Sequence, residues 1–194
     1  MPPVGLTAPT GLTTYSIAST SIGLTWQDNS DNEGGFYVYR AEGNSAQPFT
    51  IIRGTPANIN YVLTQRLVSG TTYSFKIAAY GTGATSAFTN TITVKTLPGA
   101  PTAPTKLSVI ALGTASIRMN WTDAIGEDFY NIDRSLNGVN YVFGATAAAG
   151  STTYTLTGLS AGTLYYVRIN AQNAGGTSSY ATGSATTEGI DLGL

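Results

Sequence analysis

The sequence predicts an all-β chain built as two tandem seven-stranded sandwiches. Three observations carry this reading. Hydrophobic residues alternate with a period of 2, the chain repeats itself at an offset of 92–95 positions, and turn-forming clusters separate the alternating runs. No segment of ten or more residues shows helical periodicity.

The strands can be taken in order. Ile22, Leu24 and Trp26 alternate with Gly23 and Thr25, and Ile117, Met119 and Trp121 alternate with Arg118 and Asn120. Tyr73, Phe75, Ile77 and Ala79 alternate with Ser74, Lys76 and Ala78, and Tyr165, Val167, Ile169 and Ala171 do the same later. Strict alternation places one face of each strand in a core and the other in water. Asp28-Asn29-Ser30-Asp31-Asn32 and Asn137-Gly138 supply turns between runs.

The repeat sets the domain plan. Pro9-Thr10-Gly11-Leu12 returns as Pro104-Thr105-Lys106-Leu107, and Trp26 returns as Trp121, each 95 positions later. Leu67-Val68-Ser69-Gly70-Thr71-Thr72-Tyr73 returns as Leu159-Ser160-Ala161-Gly162-Thr163-Leu164-Tyr165, 92 later, so the second copy is shorter in its loops. The expected division is an extension over 1–8, a first domain over 9–97 and a linker over 98–103. A second domain over 104–187 and a tail over 188–194 follow. Pro98, Pro101 and Pro104 lack amide donors and favour extended backbone, which suits a short stiff spacer.

Composition removes many functions. With 9 basic and 10 acidic residues the net charge of −1 gives no field for nucleic acid or an anionic membrane. Arg40, Arg134 and Arg168 are isolated in sequence and form no basic stripe. There is no His and no Cys, so the commonest general base, thiolate nucleophiles, disulfides and most zinc sites are absent. None of Lys76, Lys95 and Lys106 has a Ser three residues before it, which removes a Ser-x-x-Lys dyad. Gly81-Thr82-Gly83-Ala84-Thr85-Ser86 precedes another alternating run and no helix, so it reads as a hairpin loop and not a phosphate cradle. Asp28–Glu33 could offer oxygen ligands to calcium, but Glu33 stands where the helix–loop–helix calcium pattern needs Gly, and Tyr39 where it needs Glu. No catalytic residue, no cofactor and no metal site is expected. No run of about 18 apolar residues occurs, so no membrane insertion is expected, and Met1–Leu6 carries no basic start of a signal peptide.

Here the residues reach a family. Pro9 and Pro104 open the first strand of each copy, Trp26 and Trp121 end the second, and Leu-x-x-Gly-Thr-x-Tyr closes on Tyr73 and Tyr165. Each copy thereby resembles a fibronectin type III domain, an immunoglobulin-like sandwich. The resemblance covers residues 8–187. It implies that Tyr73 and Tyr165 are tyrosine corners bonding to nearby backbone, and that Trp26, Trp121, Leu67 and Leu159 lie in the cores. Trp26-Gln27-Asp28-Asn29-Ser30 and the Tyr37-Val38-Tyr39-Arg40 run are similar to the bacterial and bacteriophage branch. Copy two departs from copy one in placing Asp133 at the position of Tyr39 and in shortening the acidic loop. Arg53-Gly54-Thr55 is not the adhesive Arg-Gly-Asp, and it lies outside the last hairpin.

Two sets of residues remain as candidates for recognition. Tyr37, Tyr39, Tyr80, Tyr166 and Tyr180 fall on outward phases of the alternation, where flat amphipathic rings could stack on surface glycans or anchor a protein. Ile190, Leu192 and Leu194 alternate in the tail and could dock onto the strand edge of a neighbour. The leading expectation is a non-catalytic display protein, a decoration or tail-associated component of a larger assembly such as a bacteriophage virion, with capsid or tail proteins as partners. The alternative is an extracellular spacer or carbohydrate-adhesion module of a bacterial secreted enzyme or surface protein.

Overall fold

The computed structural model describes residues 5–191, and among them every regular element is a β-strand. The chain separates into two compact units, Met1–Pro98 and Gly99–Leu194.

Domain 1 contains β1 (Thr10–Ile17), β2 (Ile22–Gln27), β3 (Gly35–Glu42), β4 (Thr50–Pro56), β5 (Tyr61–Thr64), β6 (Thr72–Gly81), β7 (Ala84–Thr85) and β8 (Ile92–Lys95). One sheet runs β1-β2-β5; the other runs β4-β3-β6, with β7 and β8 both paired to β6. The alternation becomes a sandwich because the apolar phase of each sheet is turned toward the other. Ile22, Leu24 and Trp26 of the first sheet share one buried cluster with Phe36, Val38, Phe75 and Ile77 of the second.

Domain 2 repeats this with β9 (Thr105–Ala111), β10 (Ser116–Thr122), β11 (Phe129–Ser135), β12 (Val142–Ala148), β13 (Thr153–Thr157), β14 (Leu164–Asn173), β15 (Gly176–Thr177) and β16 (Ala181–Thr186). Its sheets are β13-β10-β9 and β12-β11-β14, with β15 and β16 on β14. Ile117, Met119, Trp121, Tyr130, Ile132, Val167 and Ile169 form the core.

Each domain has eight strands where the periodicity predicts seven, because the last strand is split. In domain 1 the backbone leaves β6 after β7 and rejoins it at β8, and hydroxyls bridge the gap. Ser86 Oγ accepts from the Ala79 N–H at 2.9 Å, and Thr89 Oγ1 accepts from the Ile77 N–H at 3.0 Å. Ser178 Oγ does the same for the Ala171 N–H in domain 2. Ser and Thr can stand in for a ladder carbonyl in this way, so buried amides of the central strand keep partners across the break.

The two tryptophans hold matching positions. Trp26 lies edge-on to Phe36 at 5.5 Å, and Trp121 edge-on to Tyr130 at 5.3 Å. Both tyrosine corners are present. The Val68 N–H donates to the Tyr73 phenol at 3.0 Å, and the Ser160 N–H donates to the Tyr165 phenol at 3.1 Å. Leu67 and Leu159 are buried beside them.

Candidate functional site

The outward face of the β4-β3-β6 sheet is built around one cation. Lys76, in the middle of β6, places its ammonium 3.8 Å from the Phe88 ring centroid, 4.4 Å from Phe49 and 5.9 Å from Tyr39. Tyr39 is the cross-strand neighbour of Lys76 and stands edge-on to Phe88 at 5.0 Å. A lysine held among rings is attracted by their quadrupoles and is no longer a bare point charge for a ligand.

Domain 2 repeats the arrangement with different chemistry. Arg168 lies 4.4 Å from the Tyr141 centroid and 4.1 Å from Tyr180. Its cross-strand neighbour is Asp133, whose Oδ2 accepts from Arg168 Nε at 2.8 Å. Phe49 and Tyr141, Lys76 and Arg168, and Phe88 and Tyr180 are each 92 positions apart. The departure of Asp133 from Tyr39 thus exchanges the third ring for a carboxylate against the same cation. Guanidinium suits this better than ammonium, since its plane stacks on rings while its edge hydrogen-bonds.

The five candidate tyrosines are divided by these contacts. Tyr37 and Tyr80 stack on each other at 4.2 Å, and the Tyr80 phenol donates to the Thr55 carbonyl at 3.0 Å. Tyr39 and Tyr180 belong to the two cation clusters. Tyr166 packs against the turn at Gly138, where a Cβ would come within 3.3 Å of its ring. Tyr180 alone among the five is exposed, at 44%; the other four are half-buried. In the tail, Ile190 is 70% exposed, while Leu192 and Leu194 lie outside the described residues.

The acidic loop serves the backbone. Asp28 Oδ1 accepts from the Ser30 N–H at 3.0 Å, and Glu33 Oε1 accepts from the Asn58 N–H at 3.0 Å. Asn58 has φ of 60°, in the left-handed region of the β4–β5 turn. Glu127 and Gly150 form the matching pair in domain 2, with Glu127 Oε1 accepting at 3.0 Å from an amide whose φ is 72°. Among the described residues no three His, Cys, Asp or Glu side chains gather at a metal-ion distance. In domain 2 the shortened loop is closed from another side. The Tyr130 phenol donates to Asp123 Oδ1 at 2.6 Å and accepts from the Ala124 N–H at 2.7 Å. Burial first, and then the bond to Asp123, push this phenol up to about 12. The Tyr165 phenol moves the opposite way, drawn below its ordinary value chiefly by the hydrogen bond from the Ser160 amide.

One cavity distinguishes the copies. In domain 2 a space of about 480 Å³ opens between the β11–β12 hairpin and the β13–β14 loop, lined by Arg134, Leu136, Asn140, Val142, Ser160 and Tyr165 among others. The matching place in domain 1 is smaller, about 320 Å³, and is lined by Arg40, Glu42, Gln47, Pro48 and Thr50.

The profile of the fibronectin type III domain matches residues 7–95 and again 102–187. The chain belongs to the fibronectin type III family. Chitinase A1 of Niallia circulans is 36% identical over 201 residues, which covers 96% of this chain and 26% of the chitinase. Exoglucanase B of Cellulomonas fimi is 28% identical over 182 residues, covering 88% of this chain and 15% of that enzyme. The chain therefore spans about a quarter or less of the length of these bacterial relatives. Among solved structures, the FN1–FN3 domains of chicken CNTN1 superpose with a TM-score of 0.59 at 19% identity, covering 95% of this chain and 68% of that one. That similarity is one of fold. The tandem fibronectin type III architecture accounts for the recurrence of the tryptophans and the tyrosine corners in the two domains.

The corners were legible as a local motif, whereas the cation clusters were not. Phe49, Lys76 and Phe88 come from a loop, a strand and the strand break, and no short motif joins them. The signal was their common offset of 92 from Tyr141, Arg168 and Tyr180.

Proposed function

We propose that this tandem pair is a non-catalytic extracellular spacer of a bacterial multi-module protein acting on an insoluble polysaccharide. The observation that carries this is the match of nearly the whole pair to a minor part of a chitinase. Chitin is a polymer outside the cell, and a segment equivalent to one quarter of such an enzyme leaves the rest of its length for other modules. The exoglucanase relative supports the same setting. The chemistry is consistent with a spacer. Two closed cores hold their own shape, and the sheet-face rings are largely engaged with one another and with Lys76 and Arg168. These relatives favour a spacer over a virion component.

Sedimentation with insoluble chitin and with cellulose tests the reading. The purified pair should stay in the supernatant with each polymer and release no soluble sugar. Retention that Tyr180→Ala abolishes would make the pair a binding module instead.

The virion reading keeps one observation of its own, the 70% exposure of Ile190. The cut that tests it falls after Gly189, because Glu188 is part of the fold: its N–H donates to Gly113 O at 3.0 Å and its carbonyl accepts from Gly162 N–H at 2.9 Å. A shortened chain that keeps its melting temperature and loses association with a particle would carry that reading.

A further inference from the structure

The two domains treat the outer edge of the same sheet in opposite ways. In domain 1 the edge strand β4 reads Thr-Ile-Ile-Arg-Gly-Thr-Pro, so Arg53 and Pro56 guard it. Charge and proline on an edge discourage another strand from pairing with it. In domain 2 the matching strand β12 reads Val-Phe-Gly-Ala-Thr-Ala-Ala, with neither. It pairs with β11 on one side alone. Val142 and Phe143 are 59% and 65% exposed, and Leu136 and Val139 in the hairpin before it are 66% and 78% exposed.

The cavity beside this edge differs in the same sense. Arg40 of domain 1 shares its cavity with Glu42. Ninety-four positions later, Arg134 has Leu136 at the place of that acid. Among the described residues neither Arg40 nor Arg134 is in an ion pair, but Arg40 has the Glu42 carboxylate beside it and lies over the Tyr73 ring at 5.3 Å, while Arg134 has no carboxylate lining its cavity. A guanidinium beside Leu136 and Val142, with the Asn140 amide and the Ser160 hydroxyl close by, is complementary to a carboxylate carried on an aliphatic body. An open strand edge beside it supplies backbone donors and acceptors for an extended chain.

We propose that β12 and the adjoining cavity of domain 2 bind an extended peptide segment of a partner protein, carrying an acidic side chain between aliphatic ones. The segment adds as a strand to β12. Its acidic side chain meets Arg134, and aliphatic side chains two residues to either side, on the same face of the added strand, cover Leu136 and Val142. This site stands independently of the spacer reading, since a spacer and a display protein alike could carry it.

The test titrates the isotopically labelled full chain with the synthetic peptide acetyl-Val-Thr-Asp-Thr-Val-Thr-amide, whose valines share the face of the aspartate when extended, and follows backbone amide shifts. The expected result is saturable movement of amides along Val142–Ala148 and at Arg134, with no matching change along β4. Arg134→Glu should weaken binding at least tenfold, and so should a peptide with Asn in place of Asp. Leu136→Glu, which restores the domain 1 arrangement, should do the same. Unchanged shifts elsewhere in each variant show that it is folded. Four outcomes would overturn the proposal. They are no saturable movement at millimolar peptide, equal binding by Arg134→Glu, sodium acetate reproducing the full set of shifts, and concentration-dependent pairing of two β12 edges without peptide. The last would make the occupant a second copy of the chain.

Discussion

Arg168 gives the sharpest stability experiment, because its three contacts can be removed one at a time. Its guanidinium touches Asp133 at 2.8 Å and lies against Tyr141 and Tyr180 at 4.4 and 4.1 Å. The two charged side chains are 31% and 14% exposed, so water screens the pair only in part. A largely exposed pair contributes about 0.2–1 kcal/mol, and this one should sit near the top of that range. Each ring contact adds about 0.5–1 kcal/mol at a partly solvated site. Arg168→Ala should therefore cost about 2–3 kcal/mol, with some of the loss coming from the packed stem. A double-mutant cycle with Asp133→Ala should return a coupling of about 1 kcal/mol, and one with Tyr180→Ala about 0.5–1 kcal/mol. Native-state hydrogen exchange at Val167 and Ile169, buried in the same strand, reads domain 2 without interference from domain 1. If Arg168→Ala stays within about 0.5 kcal/mol of the parent, or both cycles are additive, then the clusters are packing coincidences and not interactions.

Further outcomes follow from the cores and the strained backbone. Trp26→Ala should destabilise domain 1 by about 3–5 kcal/mol through the cavity it leaves against Phe36, measured by urea denaturation. Gly35→Ala should damage domain 1 more than an ordinary surface change. Gly35 has φ of 145°, and a Cβ there would fall on the Thr55 carbonyl oxygen. A wild-type melting temperature in that variant would refute the β3–β4 geometry. Alkali should also act on domain 2. The Tyr130 phenol is raised in the fold from 10.0 to about 12, so it favours the folded state fully below pH 10 and loses that contribution as pH climbs toward 12. Tyr165, lowered in the fold, works in the opposite sense and offsets part of the loss. Tyr130→Phe should flatten the fall in stability over that window, and an identical alkaline profile in the variant would exclude Tyr130 as its source.

The fold was readable because a sandwich writes itself along each strand. Ile22-Gly23-Leu24-Thr25-Trp26 shows its buried face by alternation alone, and Leu-x-x-Gly-Thr-x-Tyr is compact enough to be seen within seven residues. Ser86–Asn90 was harder. Its residues continue the polar and apolar mixture of a strand, while the break depends on hydroxyls facing the amides of β6. In sequence Glu33 stands among acidic neighbours as a loop charge, yet its partner is an amide 25 residues away in another turn. The recurrence of a glutamate at Glu127 was the available signal. The stacking of Tyr37 on Tyr80 and the packing of Tyr180 against Arg168 depend on neighbours from other strands and loops that a single strand does not reveal.

Two of the differences between the copies share a direction. At Phe36 and Tyr130 a buried ring gains a hydroxyl that closes a shorter loop through Asp123. At Tyr39 and Asp133 a ring gives way to a carboxylate that pairs with the central cation. Both changes replace apolar contact by hydrogen bonding at positions where domain 2 also satisfies the new polar atoms, so neither disturbs the common frame. At Glu42 and Leu136 the exchange runs the other way: a carboxylate is lost beside an arginine that remains. A change made for stability alone would not replace a solvated carboxylate near that guanidinium by a leucine 66% exposed to water. The corresponding edge also lacks counterparts of Arg53 and Pro56, so this part of domain 2 is without protection that domain 1 has. The proposed peptide would bring what this edge lacks, a carboxylate for Arg134 and apolar cover for Leu136.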